Sequence, residues 1–378
     1  MPADEPWWWY APASPARRLT CAALTPLGWL YGAATLHRMR QSGYRSALPV
    51  ICVGNLTAGG SGKTPMTRWI ADRLSRQFGV RTVVLSRGYG GRLKGPIWVE
   101  ASAHTAKDVG DEPRMLAAGL PVVIARDRAA GALLIEARVF ETPLEVTEPG
   151  ARQAGAHAVA GRSTAIVMDD GLQNPHLVKD LRIAVVNARR GLGNWAVIPA
   201  GPLRAPASAQ LADVDLMVLA GGTPGIKTDL RGRFERLRRD LPTVSMQVEA
   251  DQDDLAWLKG RRVLAFAGIA DPERFFMLVR SAGADVVATR AFPDHATYNA
   301  RDAADLLAEA RYCAAHLVTT EKDAARFHCG DDVLAELAAL TRVIRIEAKI
   351  SDRDSAVIDR LLAQMLERPA DGVRGCPV

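Results

Sequence analysis

The chain has 378 residues, 48% hydrophobic and 24% charged, with a net charge of +6 and a pI near 9.2. Such a length favours two domains over one and buries enough core to fold without disulfides or a structural metal. Five scattered cysteines (Cys21, Cys52, Cys313, Cys329, Cys376) with no Cys-x-x-Cys pair argue against a zinc site or a disulfide framework and fit a reducing compartment. The basic balance suits an anionic membrane surface or an acidic small substrate. No basic stretch carries the interleaved aromatics of an RNA-binding module, so nucleic acid is not an expected partner.

In chain order, the first feature is an uncharged run from Leu19 to Leu36, at the lower limit for a membrane span. Thr20, Thr25, Pro26, Gly28, Gly32 and Thr35 dilute its leucines, and Pro26 is expected to break a helix near its start. Leu24, Leu27, Tyr31 and Ala34 fall on one helical face. Trp7, Trp8, Trp9 and Tyr10 ahead of the run, and arginines on both flanks, suit the membrane–water boundary. The expectation is a membrane-interfacial helix over about residues 17–40, preferred to a helix packed on its own domain, a true span or a secretory signal, whose basic leader is missing.

Pro49 to Asn55 reads as a short buried strand. Thr57-Ala58-Gly59-Gly60-Ser61-Gly62-Lys63-Thr64 follows, then a helical pattern through Met66, Ile70 and Leu74. Strand, glycine-rich loop, Gly-Lys-Thr and helix make up the context of a phosphate-binding P-loop. Backbone N–H groups of the loop would cradle the phosphates, Lys63 would neutralise the β- and γ-phosphates, and Thr64 would ligate Mg²⁺. Thr57 stands where the general pattern has glycine. A P-loop needs an acidic partner on a neighbouring strand, and the apolar run 163–168 ends in Asp169 and Asp170. That places the carboxylates at the C-terminal edge of a parallel sheet, with either one as the metal ligand.

Strands alternate with helical patterns along the whole length, which predicts an α/β protein: a P-loop NTPase-type doubly wound parallel sheet with a second, smaller α/β domain. The boundary is expected near residue 245, giving a core domain over 1–245 and a smaller domain over 246–378 that closes the cleft. Arg231 to Arg239 are spaced like the solvated face of a helix over Leu230 to Leu241, and the tail after Glu367 is expected to fray.

Further segments resemble reaction loops at strand ends: Ser86-Arg87-Gly88-Tyr89-Gly90, Gly110-Asp111-Glu112-Pro113, Ile198-Pro199-Ala200-Gly201-Pro202-Leu203-Arg204, Phe292-Pro293-Asp294-His295 and Thr319-Thr320-Glu321-Lys322-Asp323-Ala324-Ala325-Arg326. Read alone, Asp111 is equally natural as a helix N-cap. In this order, from about Pro49 to Arg326, the set resembles the tetraacyldisaccharide 4′-kinase family. The resemblance implies transfer of the γ-phosphate of ATP to the 4′-hydroxyl of an acylated glucosamine disaccharide 1-phosphate, a lipid A precursor, with ATP and Mg²⁺ required. It implies Asp111 as catalytic base, His295 as its partner, Lys63 on the phosphates, and Glu112, Asp169 and Asp170 around the metal. Arg87 and Arg204 sit in family motifs near the cleft as substrate candidates. The implied setting is the cytoplasmic face of the bacterial inner membrane, with no obligate protein partner. The rivals are a soluble small-molecule kinase and a nucleotide switch. Thr320-Glu321-Lys322-Asp323 lacks the spacing of a guanine-reading motif.

Overall fold

The computed structural model describes residues 5–141, 164–327 and 332–368. Its strands are β1 (Val50–Gly54), β2 (Arg81–Ser86), β3 (Ile97–Trp98), β4 (Val122–Ile124), β5 (Thr164–Asp169), β6 (Leu181–Asn187), β7 (Leu216–Ala220), β8 (Thr243–Ala250), β9 (Arg262–Ala267), β10 (Asp285–Ala291), β11 (His316–Thr320), β12 (Thr341–Ile344) and β13 (Ile346–Ile350). Nine form one sheet in the order β13-β8-β7-β6-β1-β5-β2-β4-β3, parallel except for the antiparallel edge strands β3 and β13. The other four form a parallel sheet in the order β10-β9-β11-β12. The protein is therefore α/β, as its alternating pattern predicts.

The central strands of the large sheet, β1, β2, β4, β5, β6 and β7, are buried on both faces, which is why they read as continuous apolar runs. Along β1, for example, Val50 and Cys52 face one core while Ile51 and Val53 face the other. The helix Lys63–Phe78 covers the second face with Met66, Ile70 and Leu74. Beside it lies the C-terminal helix Asp352–Glu367, which contributes Ile358, Leu362, Met365 and Leu366. Each such side chain stabilises the fold by about 1.5–3 kcal/mol. A forked ion pair from Arg73 to Asp359 (2.7 and 2.5 Å) fastens these two helices together.

A cut at residue 245 would fall inside β8, which pairs with β7 through Thr243–Met246 and with β13 through Met246–Ala250. The chain leaves the large sheet only at Asp251 and returns at Arg345, so residues 346–368 belong to the larger unit and the smaller one spans 251–345. The cause is the apolar alternation Val244, Met246, Val248, which continues the core under the C-terminal helix. The polar run after β8 is the real break. Asp251 caps the helix Gln252–Leu258, and the fully buried Asp254 accepts from Arg342 (3.0 Å) and from the backbone N–H of Arg345 (2.9 Å). The two crossings are also bonded directly, Asp251 N–H to the Arg345 carbonyl at 3.0 Å.

The N-terminal helix runs unbroken over Pro15–Met39 with Ser14 as its cap. Pro26 does not break it. The proline lies on the exposed side of the helix. The stripe packed on the protein is Gly28, Gly32 and Thr35, where a side chain at Gly28 would press on the Val197 carbonyl and one at Gly32 on Pro206, while Leu27 and Tyr31 are exposed. Leu19, Trp29 and Leu30 are 70–75% exposed, leaving an apolar face that no part of the described chain covers. The tryptophans do not all face outward: Trp8 and Trp9 both donate their indole N–H to the Pro199 carbonyl (3.1 Å each), and Trp9 is buried. The basic helix spans Pro224–Leu237, earlier than expected, and buries Leu230 and Phe234. The frayed tail expected after Glu367 lies, from residue 369 on, outside the described residues.

Candidate active site

The loop between β1 and the helix Lys63–Phe78 is held from several sides. Asn55 Nδ2 donates to the Gly59 carbonyl (3.0 Å), Ala58 N–H donates to Pro202 (2.8 Å), and Thr57 bridges to Leu203. Gly59 and Gly62 have φ of 94° and 90°, a region that disfavours side chains, so the loop's turns need glycine at both positions. Lys63 and Thr64 are buried at the helix start, where free N–H groups and the helix dipole favour an anion. The Ser61 hydroxyl is buried without a hydrogen-bond partner.

β5 lies beside β1 and delivers Asp169 and Asp170 to this loop. Asp170 adopts φ 52° and accepts a fork from Arg204 (2.8 and 3.0 Å), with Lys63 Nζ at 3.8 Å. Burial works to raise its pKa, but Lys63 and Arg204 outweigh it and hold the carboxyl below its usual range. Asp169 is the opposite case. Burial and the charge of Glu112 push it well above the carboxylate range, Lys63 only partly offsets them, and its Oδ1 has no hydrogen-bond partner.

The expected metal set of Thr64, Glu112, Asp169 and Asp170 is thus not gathered as one cluster. Among the described residues no three acidic, His or Cys side chains converge on a metal position. Asp170 is drawn to Arg204, and Glu112 turns toward Lys322 at 3.7 Å. The fit to a divalent cation rests instead on Asp169, whose unpartnered buried oxygen, on the strand paired with the one that leads into the loop, is the chemistry such an ion satisfies.

Gly110, with φ 93°, ends one short helix and caps the next, Asp111–Leu116, so Asp111 is the first helical residue and not the cap. The smaller unit reaches over to it. His295 Nδ1 lies 2.8 Å from Asp111 Oδ2, and Arg326 Nε donates to the same oxygen at 2.8 Å. The hydrogen bond to Asp111 raises the His295 pKa above its ordinary 6.5. Burial pushes Asp111 up, but its bonds to His295 and Arg326 win and leave the carboxyl below its usual range. His295 itself sits at φ 58°. Of four non-glycine residues with positive φ among those described, Asp170 and His295 are both here, backbone strain concentrated where a site needs fixed side chains.

Sequence reasoning missed three partners. Arg128 is buried to 1% exposure near Asp169, donates to the Ala125 carbonyl, and is pushed down to about 10, chiefly by burial. Its signal was its place just after β4, at the sheet edge that carries the other site residues. Glu5 lies against Gly59 and accepts from Arg190 (2.8 Å to each oxygen), laying the N-terminal segment over the loop. Nothing local marks that pair, 185 residues apart. Arg326 was read only as part of a motif. Arg87 is exposed after β2, with the Arg128 charge nearby.

A mostly parallel sheet with a glycine-rich strand–loop–helix at its centre and an aspartate on the adjoining strand defines a P-loop nucleotide-binding protein. Within that class, the chain belongs to the tetraacyldisaccharide-1-P 4′-kinase family, whose model matches residues 20–366. It is 46% identical over 329 residues to a tetraacyldisaccharide 4′-kinase of Bradyrhizobium diazoefficiens, covering 87% of this chain and 88% of the relative. To one of Rhodopseudomonas palustris it is 45% identical over 351 residues, covering 92% and 94%. Among solved structures, an LpxK from Aquifex aeolicus described as in complex with ATP aligns with a TM-score of 0.64. It is 22% identical, over 92% of this chain and 99% of that one, and shares the fold.

Proposed function

We propose that this chain transfers the γ-phosphate of ATP to the 4′-hydroxyl of a tetraacylated glucosamine disaccharide 1-phosphate. The observation that carries the assignment is the Asp111–His295 pair, a carboxylate kept ionised at the mouth of a phosphate-binding loop in a chain of this family. The loop 57–64 binds the triphosphate, and Lys63 balances its charge. The sugar hydroxyl, a poor nucleophile, gives its proton to Asp111 as its oxygen attacks the γ-phosphorus, while His295 orients the carboxylate. Arg204 braces Asp170, and through it the position of Lys63. Asp169 and Thr64 are the residues that would hold Mg²⁺, which when bound supplies positive charge to the β- and γ-phosphate oxygens. Arg87, exposed at the sheet edge, is available to the substrate's phosphate. The exposed apolar face of the N-terminal helix, flanked by Arg17, Arg18, Arg38 and Arg40, suits peripheral attachment to the cytoplasmic face of an inner membrane, where such a lipid is met.

The test is transfer of labelled γ-phosphate in detergent micelles, with and without the acylated disaccharide monophosphate. Label is expected on the lipid, reduced about 10²–10⁴-fold in Asp111→Ala. Release of free phosphate with no labelled lipid would overturn the assignment.

A further inference from the structure

Asp111 is held from the smaller unit by more than its histidine. Arg326 is 3% exposed, with Nε and Nη2 each 2.8 Å from Asp111 Oδ2. Its Nη1 donates to the Gly268 carbonyl (2.6 Å) and to Asp323 Oδ1 (3.1 Å). Asp323, wholly buried, is itself fixed by the Tyr298 hydroxyl (2.9 Å), the Gly268 N–H (2.9 Å) and the Thr320 hydroxyl (2.6 Å). The guanidinium is therefore set in a frame belonging entirely to the smaller unit, and only its outward edge crosses to Asp111. His295 and Arg326 converge on one oxygen, Oδ2. Among the described residues, Oδ1 accepts no hydrogen bond.

We infer that Arg326 is a positioning residue for phosphoryl transfer: anchored by Asp323 and the Gly268 carbonyl, it fixes Asp111 Oδ2 and so presents Oδ1 to the acceptor hydroxyl. The inference rests on Asp111 being the base. The proton of the hydroxyl passes to Oδ1 as the sugar oxygen bonds to the γ-phosphorus. The bond from that phosphorus to the β,γ-bridging oxygen breaks, and its electron pair leaves with ADP. An arginine suits the post because its planar fork meets several acceptors at once, which a lysine cannot do. A base displaced by about 1 Å can cost on the order of 10²-fold in rate.

The experiment compares Asp111→Asn, Arg326→Ala and the double variant with the unaltered enzyme in the labelled-ATP assay, with thermal melts to establish folding. Arg326→Ala is expected to lower kcat on the order of 10²-fold, with KM for both substrates within about twofold. The double variant should be no slower than Asp111→Asn. Added guanidinium ion should restore part of the rate to Arg326→Ala and none to the double variant. If Arg326→Ala does not fold, Arg326→Lys replaces it, with a drop of about tenfold expected for a charge without the fork. An undiminished kcat in folded Arg326→Lys would then overturn the inference. A loss that multiplies with that of Asp111→Asn, or one confined to KM, would reduce Arg326 to structural support while leaving Asp111 as the base. Full activity in Asp111→Asn would remove both.

Discussion

Asp169 and Asp170 are neighbours in sequence and opposites in surroundings. The turn at Asp170, φ 52°, sends its carboxylate to Arg204 and Lys63, while Asp169 stays on the strand, buried, with Lys63 and Arg128 only partly offsetting that burial. That division could not be read from the sequence, which left either aspartate as the ligand, because it depends on an arginine 34 residues away. The Asp111–His295 pair was legible only through the family's motif order. Its two halves are 184 residues apart, and each alone fits an ordinary turn or helix start. A titration follows from their contact. The folded pKa of His295 is raised above 6.5, so the ionic pair contributes fully below 6.5 and is lost as pH rises through the elevated value. Followed by NMR, the His295 ring is expected to titrate at a lower pH in Asp111→Asn than in the unaltered protein. An unmoved midpoint would mean that the carboxylate is not what raises it.

At the scale of elements, the central strands were readable because sheets buried on both faces demand unbroken apolar runs. β13 was not. Ile346-Glu347-Ala348-Lys349-Ile350 alternates like any edge strand, and nothing in it says which of two sheets it joins. The N-terminal helix was misjudged where a rule about proline was applied without knowing which side faces outward. Gly110 links element to site. A Cβ there would collide with the Tyr89 carbonyl oxygen, and the residue's φ of 93° is itself unfavourable for alanine. Gly110→Ala is therefore expected to destabilise the fold by about 1–3 kcal/mol. It should also lower kcat by shifting Asp111, as urea unfolding and the transfer assay would record; an unchanged kcat would show that the start of that helix tolerates movement. For the N-terminal helix, Leu27→Glu with Leu30→Glu removes two exposed leucines, each contributing about 1.5–3 kcal/mol when buried in an apolar phase. Sedimentation with anionic vesicles should fall on the order of 10²-fold or more while activity on micellar substrate persists. Undiminished pelleting would place the membrane contact elsewhere.

Across the whole molecule, the site is divided between two units: the phosphate loop, Asp169 and Asp111 on the larger, His295 and Arg326 on the smaller. Further ties span the cleft beside them, Arg68 to Glu321 at 2.6 Å and Lys322 to Glu112 at 3.7 Å. Asp254 stands at the join, fully buried between Arg342 and Arg345. Asp254→Ala would leave two arginines facing a buried void. Because both guanidinium groups retain some contact with water, a loss near the low end for broken buried pairs is expected, about 3 kcal/mol. A lowered urea midpoint would register it, and an unshifted midpoint would show that the join draws its strength from elsewhere.

The same join limits how the halves can move. The outgoing crossing at Asp251 and the returning one at Arg345 run side by side and are bonded to each other and to Asp254. A single strand would permit swivel as well as bend. Two crossings bonded to each other would resist torsion more than one. The distances from Asp111 to His295 and to Arg326 would then vary together, so the Asp111 carboxylate would gain or lose both contacts at once.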